Sequence, residues 1–488
     1  MAAYLALSFL AGVAVYQAIF IHNDLIPLGL QTLGYGLAYH TGLFCSILTY
    51  RLFFYPLCQF PGPRLAAVSK LWHVWKCRSS LGHLVLEEWR QQYGPFVRTG
   101  PNELTLFHPG AVELMDNPKS TRSDWYNLIH PRASSIFTRS KAVHSARRKI
   151  WDQALSQASL VEYYRRFKNQ IRNLDVCLAD RNGAPVYVNE LMYWYAFDNM
   201  GDFGFGKDFG MVREQRWVDG ALMMRSALTL LGPFSPAIWI PRLGFALVPN
   251  LGKVKHWFKM LDFADDCTYA RMKAESPNPD VSDYFIKEFL AGPQDQHNRR
   301  LLSGDIATMV VAGSDTTAPS LTILLYHLAR YPEQAAKVLK ELSTVSDTAD
   351  ARVLATLPEL QAFINESQRL LPAILSFGSR ITPPEGLSLD GTFVPGGVKI
   401  SAPRYSLGRL PDAYVKPDEF IAERWTTRPD LIKDKRSFSP FGTGRMSCVG
   451  KNLAMAQLRL VAALVLTKYK LNFAGFYYNL SLSISKKL

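Results

Sequence analysis

The sequence predicts a mainly α-helical fold with a small β portion, a single domain held behind an N-terminal membrane anchor. Three observations carry this expectation. Residues 1–50 contain one charged side chain, Asp24, and then Arg51, Arg64, Lys70, Lys76 and Arg78 arrive before the next acid, Glu87. From residue 82 to about 360 the apolar side chains recur mostly at helical spacing, in stretches at 82–93, 141–155, 158–180, 251–275, 281–290, 303–330 and 332–342. Strand-like pieces are confined to 96–107 and 387–402, the latter broken by Asp390-Gly391 and Pro395-Gly396-Gly397.

The anchor comes first. Ala2 to Ile21 is a run without charge, long enough as a helix to cross ~30 Å of hydrocarbon. It lacks the basic n-region of a cleaved signal peptide. A second uncharged run, 25–50, is interrupted by Pro27, Gln31, His40 and four glycines, so one span at 2–21 and a possible second at 25–50 are both open. The basic collar after residue 50 places the rest on the cytosolic side. Residues 51–64, with Pro56, Pro61 and Pro63, read as a stiff hinge. The body, 65–488, is 48% hydrophobic over the whole chain, enough for a large core, which excludes disorder. Six scattered cysteines exclude a disulfide or zinc scaffold. The net charge of 55 − 41 = +14 suits an acidic partner. No Cys/His finger or Gly/aromatic RNA motif accompanies it, which argues against nucleic acid.

Several constellations could carry chemistry. His144 and Arg148 in HSARRKIW lie one helical turn apart. The stretch 303–330 reads as one long apolar helix starting at a Ser cap, and it holds AGSDTT at 312–317. Hydroxyl and ionisable groups buried in such a helix need partners or a task. Pro319 offers no N–H to the carbonyl of Asp315, so a kink is expected there. Glu-x-x-Arg occurs three times, at Glu87/Arg90, Glu162/Arg165 and Glu366/Arg369, and only the last continues as RLLP, 82 residues before Cys448. FGTGRMSCVG (441–450) precedes an Ala/Leu-rich helix. Its glycines let the backbone fold around Cys448, and the helix start adds N–H groups that stabilise an anionic sulfur.

F-x-x-G-x-x-x-C-x-G before a helix resembles the haem-binding loop of the cytochrome P-450 superfamily, and the other motifs fall in that family's order. The resemblance covers about residues 52–475, and MGDFGFGKDFG (200–210) is similar to fungal secondary-metabolite members such as trichothecene and other terpenoid oxygenases. It implies a haem, haem b (iron protoporphyrin IX), between the long oxygen-binding helix and the thiolate-loop helix. Cys448 would be the axial iron ligand, with Phe441, Gly444, Arg445 and Gly450 shaping its loop. Gly313 would leave room for O2, and Asp315 with Thr316 would relay protons. His144, Arg148 and Arg380 would hold the haem propionates. The family's usual arginine two places before the cysteine is Met446 here. Glu366, Arg369 and Arg424 (in FIAERW, 420–425) would form a structural triad behind the haem.

The implied activity is a monooxygenase taking O2 and an apolar small molecule, with NADPH-derived electrons from an NADPH-cytochrome P-450 reductase. Its place would be the endoplasmic reticulum membrane, anchored in lipid with the catalytic domain cytosolic. Pocket residues are expected from 118–142, 225–250, 305–316 and 373–381, including Phe137, Phe234, Trp239 and Phe377. An O2-independent haem-thiolate isomerase or dehydratase is the alternative, disfavoured by Asp315-Thr316. The tail after Phe473 does not resemble the family's closing hairpin. It is read as abbreviated, leaving a strand at 471–473 unpaired, and a catalytically impaired haem-binding relic is the third reading.

Overall fold

Capping residues set where several helices begin. The structure, a computed structural model, describes residues 12–16, 25–274, 279–376, 378–477 and 479–486. Helix α1 is Leu25–Thr49. Helix α2, Lys141–Ala154, starts at Ser140, whose hydroxyl accepts from Val143 N. Helix α3, Gln157–Asp180, starts in the same way at Ser156. Then come α4 (Val188–Phe205), α5 (Asp219–Leu228), α6 (Gly252–Lys273) and α7 (Val281–Ala291). Helix α8, Gln296–Ser314, is capped by Asp295, whose carboxylate accepts from Asn298 N at 2.8 Å. Helix α9 is Thr317–Arg330, α10 is Pro358–Leu370 and α11 is Lys451–Lys468.

Two expectations change here. The long apolar helix starts at Gln296 rather than 303, and Ser303 is no cap: it lies well inside α8 and donates to Asp265 at 2.5 Å. It is also two helices, α8 and α9, separated at Asp315–Thr316, one turn before Pro319. The break falls where a missing N–H leaves the ladder open.

The small β portion is a mixed sheet plus two minor ones. Strands β1 (Phe96–Gly100), β2 (Glu103–Leu106), β3 (Thr121–Arg122), β5 (Ser379–Ile381) and β8 (Lys399–Ser401) join in the order β1-β2-β8-β5-β3. Only β2 and β8 run parallel. Strands β6 (Leu387–Leu389) and β7 (Thr392–Val394) form a hairpin. Strand β10 (Asn479–Lys486) lies between β4 (Pro185–Tyr187) and β9 (Tyr469–Tyr477).

That last sheet corrects the reading of the tail. Leu471, Asn472 and Phe473 pair with Ile484, Ser483 and Leu482, so the strand at 471–473 is paired along one side and is the outer strand of this sheet. Leu482 and Ile484 are buried while serines separate them, a period-2 alternation that specifies a strand with one face inward.

The N-terminal anchor expected at residues 1–50 is not confirmed. Residues 2–21, apart from 12–16, lie outside the described residues. Among those described, no helix is long and apolar enough to cross a membrane. The 25–50 segment is helical, but Gln31, His40 and its glycines dilute it.

Candidate active site

The sequence FGTGRMSCVG folds as a tight loop because two of its glycines take a backbone that side chains disfavour, Gly442 at φ 70° and Gly444 at φ 58°. Cys448 N donates to Phe441 O at 2.7 Å and closes the loop. Gly450 is the residue before α11, and a side chain on it would sit 3.8 Å from the Cys448 sulfur. Cys448 is exposed, and what it faces is an interior cavity of about 300 Å³. Deep placement pushes its thiol up. The Gly450 N–H and the charges of Arg148, Arg404 and Lys451 act in the opposite sense, toward thiolate.

The opposite wall comes from the helix break. Thr308, Met309, Ala312, Gly313 and Thr316 line the cavity, in the i, i+4 register of one helix face. Thr316 is tied back by its hydroxyl to Ala312 O at 2.8 Å. Asp315 does not line the cavity. It points toward α4, where the Tyr193 hydroxyl donates to its Oδ1 at 3.3 Å. Burial pushes the Asp315 carboxyl up to about 7, with Tyr193 and Arg225 pulling the other way. The two expected relay residues therefore occupy different surroundings. Gly313 lines the cavity as well. A Cβ there would meet Met200 at 3.0 Å and Phe203 at 3.2 Å, so the missing side chain admits α4, and only the backbone borders the cavity.

Around the cavity stand five basic side chains, Arg122, His144, Arg148, Arg380 and Arg404, against one carboxylate, Asp116. Four of these arise from separate elements, so their convergence needs a reason. Arg380 reaches the Tyr126 hydroxyl and lies 3.9 Å from Asp116. Arg148 donates to Ser447 O at 2.7 Å and pairs with Asp152, which braces the thiolate loop. His144 is held below its ordinary value by burial, its Nδ1 lying 2.6 Å from Ser135 O. Arg445 and Gly444, expected at the cofactor, are exposed on the far side of the loop and do not reach the cavity.

Sequence reasoning missed Arg122. It donates from Nη1 to the carbonyls of Ser135 and Ile136, both at 2.8 Å, and its Nη2 lies 3.1 Å from both the His144 ring and Met446 Sδ. A guanidinium from β3 thus reaches the spot that an arginine at 446 would serve. Burial lowers it to about 10, so it stays cationic at neutral pH. Its Nε, Gln368 Nε2 and Gln457 Oε1 border the cavity without a partner among the described residues.

Behind the thiolate loop, Glu366 accepts from Arg369 at 2.8 and 2.9 Å, from Arg424 at 2.9 Å, and from Ile421 N and Trp425 Nε1. All three charged side chains are fully buried. Burial alone would raise the Glu366 carboxyl, but the two guanidiniums hold it below the ordinary range. The other Glu-x-x-Arg pairs are peripheral: Arg165 is 67% exposed, and Glu87–Arg90 is half-buried.

A thiolate-capable sulfur in a cavity bordered by two helices, with an excess of guanidiniums around it, suits a metal macrocycle carrying carboxylates. The sequence pattern of the family described as Cytochrome P450 matches residues 61–475. The chain belongs to the cytochrome P450 family. It is 34% identical over 448 residues to cytochrome P450 monooxygenase notG' of Aspergillus versicolor, covering 90% of this chain and 81% of that one. It is 33% identical to tryprostatin B 6-hydroxylase of Aspergillus fumigatus, covering 89% of this chain and 78% of that one. Cytochrome P450 monooxygenase sthD of Phaeosphaeria nodorum is 35% identical, with 90% and 93% covered. This P450 is a monooxygenase, an oxidoreductase that uses a haem iron, O2, a substrate and a redox partner.

The expected pocket aromatics are elsewhere. Phe137 stacks on Trp125, Trp239 is 49% exposed, and Phe234 does not reach the cavity. Phe377 lies outside the described residues. No residue of 225–250 lines the cavity; Ile136, Met309, Ala373 and Ile374 come from the other expected stretches, and Leu155 and Phe203 from outside them.

Proposed function

We propose that Cys448 ligates the iron of haem b and that the enzyme inserts one oxygen atom of O2 into an apolar fungal secondary metabolite, a terpenoid or a molecule of similar size. The observation that carries this reading is that Cys448 and Thr316 line one cavity together with four guanidiniums. The haem would supply oxygen activation, with the thiolate pushing electron density onto iron. The chain's own residues do the rest. Arg122, Arg148, Arg380 and Arg404 neutralise and orient the two propionates. Thr316 holds a hydroxyl proton at the cavity wall, and Asp315 supplies the exchangeable carboxyl behind it. Ile136, Met309 and Ile374 exclude water over the reacting position. The Glu366–Arg369–Arg424 triad fixes the segment leading into the thiolate loop.

A relative named tryprostatin B 6-hydroxylase makes tryprostatin B a second substrate to test beside terpenes. Electrons would come from NADPH through a P-450 reductase, whose acidic face suits exposed Arg445 and Lys451 beside the thiolate loop. Anchorage of residues 1–50 in the endoplasmic reticulum membrane, with the body cytosolic, fits the exposed Leu33, Leu37 and Phe44 of α1. It also fits exposed Trp75 and Trp239 near the packed segments 70–76 and 235–237.

The test is optical. The reduced protein with CO should show the long-wavelength Soret band of a thiolate opposite CO, and Cys448→Ser should lose it. An unchanged band in Cys448→Ser refutes the ligand assignment.

A further inference from the structure

One densely bonded wall of the cavity lies where the loop 132–138 meets α8. Four contacts stitch this loop to successive positions of the helix. Arg132 Nε donates to Ser303 Oγ at 2.6 Å. The carbonyl of Ala133 lies where a Cβ on Gly304 would come within 2.1 Å, so only glycine allows this approach. Thr308 Oγ1 is 2.8 Å from Ser134 Oγ. Ser135 N donates to Asp305 Oδ1 at 3.1 Å.

Asp305 is the centre of this arrangement. It is fully buried and accepts two further bonds, from Arg147 Nε at 2.6 Å and from Trp151 Nε1 at 2.8 Å, both on α2. A carboxylate out of water needs such donors, and the loop's own N–H is one of three that satisfy it. Withdrawal of the loop would therefore remove a charge-assisted bond in a place where water cannot replace it easily. The carbonyl of the same residue, Ser135, is held from the other side by Arg122 and His144. Ser135 and Ile136 line the cavity, and Arg122 links their carbonyls to Met446 of the thiolate loop.

We infer that Asp305 is a positioning residue which, with Gly304 and Thr308, locks the wall Ala133–Phe137 onto the oxygen-side helix, so that the width of the cavity is set before substrate arrives. The inference rests on the reading of this cavity as the haem-thiolate site. A fixed wall selects by size. It leaves small axial ligands unaffected and excludes those whose bulk needs the space occupied by Ile136. On α2, Arg147 and Trp151 hold the wall through Asp305 and His144 holds it through the Ser135 carbonyl, while Arg148 reaches Ser447 of the thiolate loop.

The experiment uses the haem-loaded full chain, with Asp305→Asn and Gly304→Ala as variants. Gly304→Ala leaves the Asp305–Arg147 pair in place and only pushes the loop away, so it carries the test if Asp305→Asn folds poorly. The CO band is recorded first, and its presence in each protein confirms the site independently of the wall. Amide hydrogen exchange over 132–138 should then quicken about tenfold or more in both variants, the scale of one lost charge-assisted hydrogen bond. Ferric haem is next titrated with imidazole and with 4-phenylimidazole. The ratio of their dissociation constants, bulky over small, should fall about tenfold in the variants, with imidazole binding itself unchanged. An intact CO band with unchanged exchange and an unchanged ratio in Gly304→Ala overturns the inference. A parent chain without the band overturns the site reading instead, and exchange over 132–138 still decides whether the wall is locked.

Discussion

Replacing Asp315 by Asn should stabilise this protein while impairing its turnover. The carboxyl is crowded by α4 and the helix break, with the Tyr193 hydroxyl at 3.3 Å as its hydrogen-bond donor. Its pKa is raised from 3.8 to about 7, chiefly by burial. The sign follows from proton binding. Between pH 4 and 7 the folded state holds a proton that the unfolded state has released, so stability falls as pH rises through that window. From 3.8 to about 7 is about 3 pH units, which at about 1.4 kcal/mol each sets a ceiling of about 4 kcal/mol above pH 7. Partial solvent access brings the expected cost to about 2 kcal/mol. Asn keeps an acceptor for Tyr193 and carries no charge, so Asp315→Asn escapes this cost. Its urea midpoint should match the parent at pH 4 and exceed it increasingly up to pH 7, with the slope unchanged. At pH 8 the variant should consume NADPH with little product if Asp315 feeds protons toward Thr316. A variant no more stable than the parent at pH 8, or a difference independent of pH, refutes the reasoning.

Two further substitutions test the support of the site. Glu366→Gln leaves Arg369 and Arg424 facing each other in a fully buried place, and should cost about 3–5 kcal/mol, seen as loss of haem-loaded protein and a lowered thermal midpoint. Glu162→Gln, which keeps an acceptor for exposed Arg165 and for the more buried Arg166, should cost no more than about 1 kcal/mol in the same melts. Arg122→Leu should speed haem transfer to apomyoglobin about tenfold, the scale of a lost charge-assisted contact. Arg445→Ala should leave that rate alone, because its side chain is outside the cavity.

What the sequence made legible was local. The thiolate loop and the Glu366–Arg369 pair are held within ten residues of chain or one helical turn, so spacing alone exposes them. Half-buried helices such as Gly82–Tyr93 and α2 announce themselves by one apolar stripe. Helix α4 does not, because almost every side chain from Leu191 to Phe205 is buried and the pattern has no polar face to mark a period. Arg122 was invisible for a different reason. Its partner Met446 lies 324 residues away, and nothing in either local sequence records the contact. The pocket aromatics failed because an aromatic side chain near a cavity usually packs into the surrounding core, as Phe137 does on Trp125. The tail was legible after all: Leu480, Leu482 and Ile484 alternate with serine, but similarity to a familiar ending outweighed the period.

The separation of Asp315 from Thr316 follows from the same backbone that gives the cavity its open wall. Thr308, Ala312, Thr316 and Ser320 follow one another at intervals of four and all face the cavity. Asp315 lies about 100° round the helix from Thr316, which turns it toward Tyr193 on α4. Pro319 removes the donor that would close the next turn on the Asp315 carbonyl, and the ladder opens between α8 and α9 at these two residues. A helix broken one residue further on would move Thr316 out of register with Ala312, whose carbonyl now fixes its hydroxyl at 2.8 Å. The break beside this proline therefore accompanies an alcohol anchored at the cavity wall and an acid turned toward Tyr193, whose carboxyl burial raises to about 7.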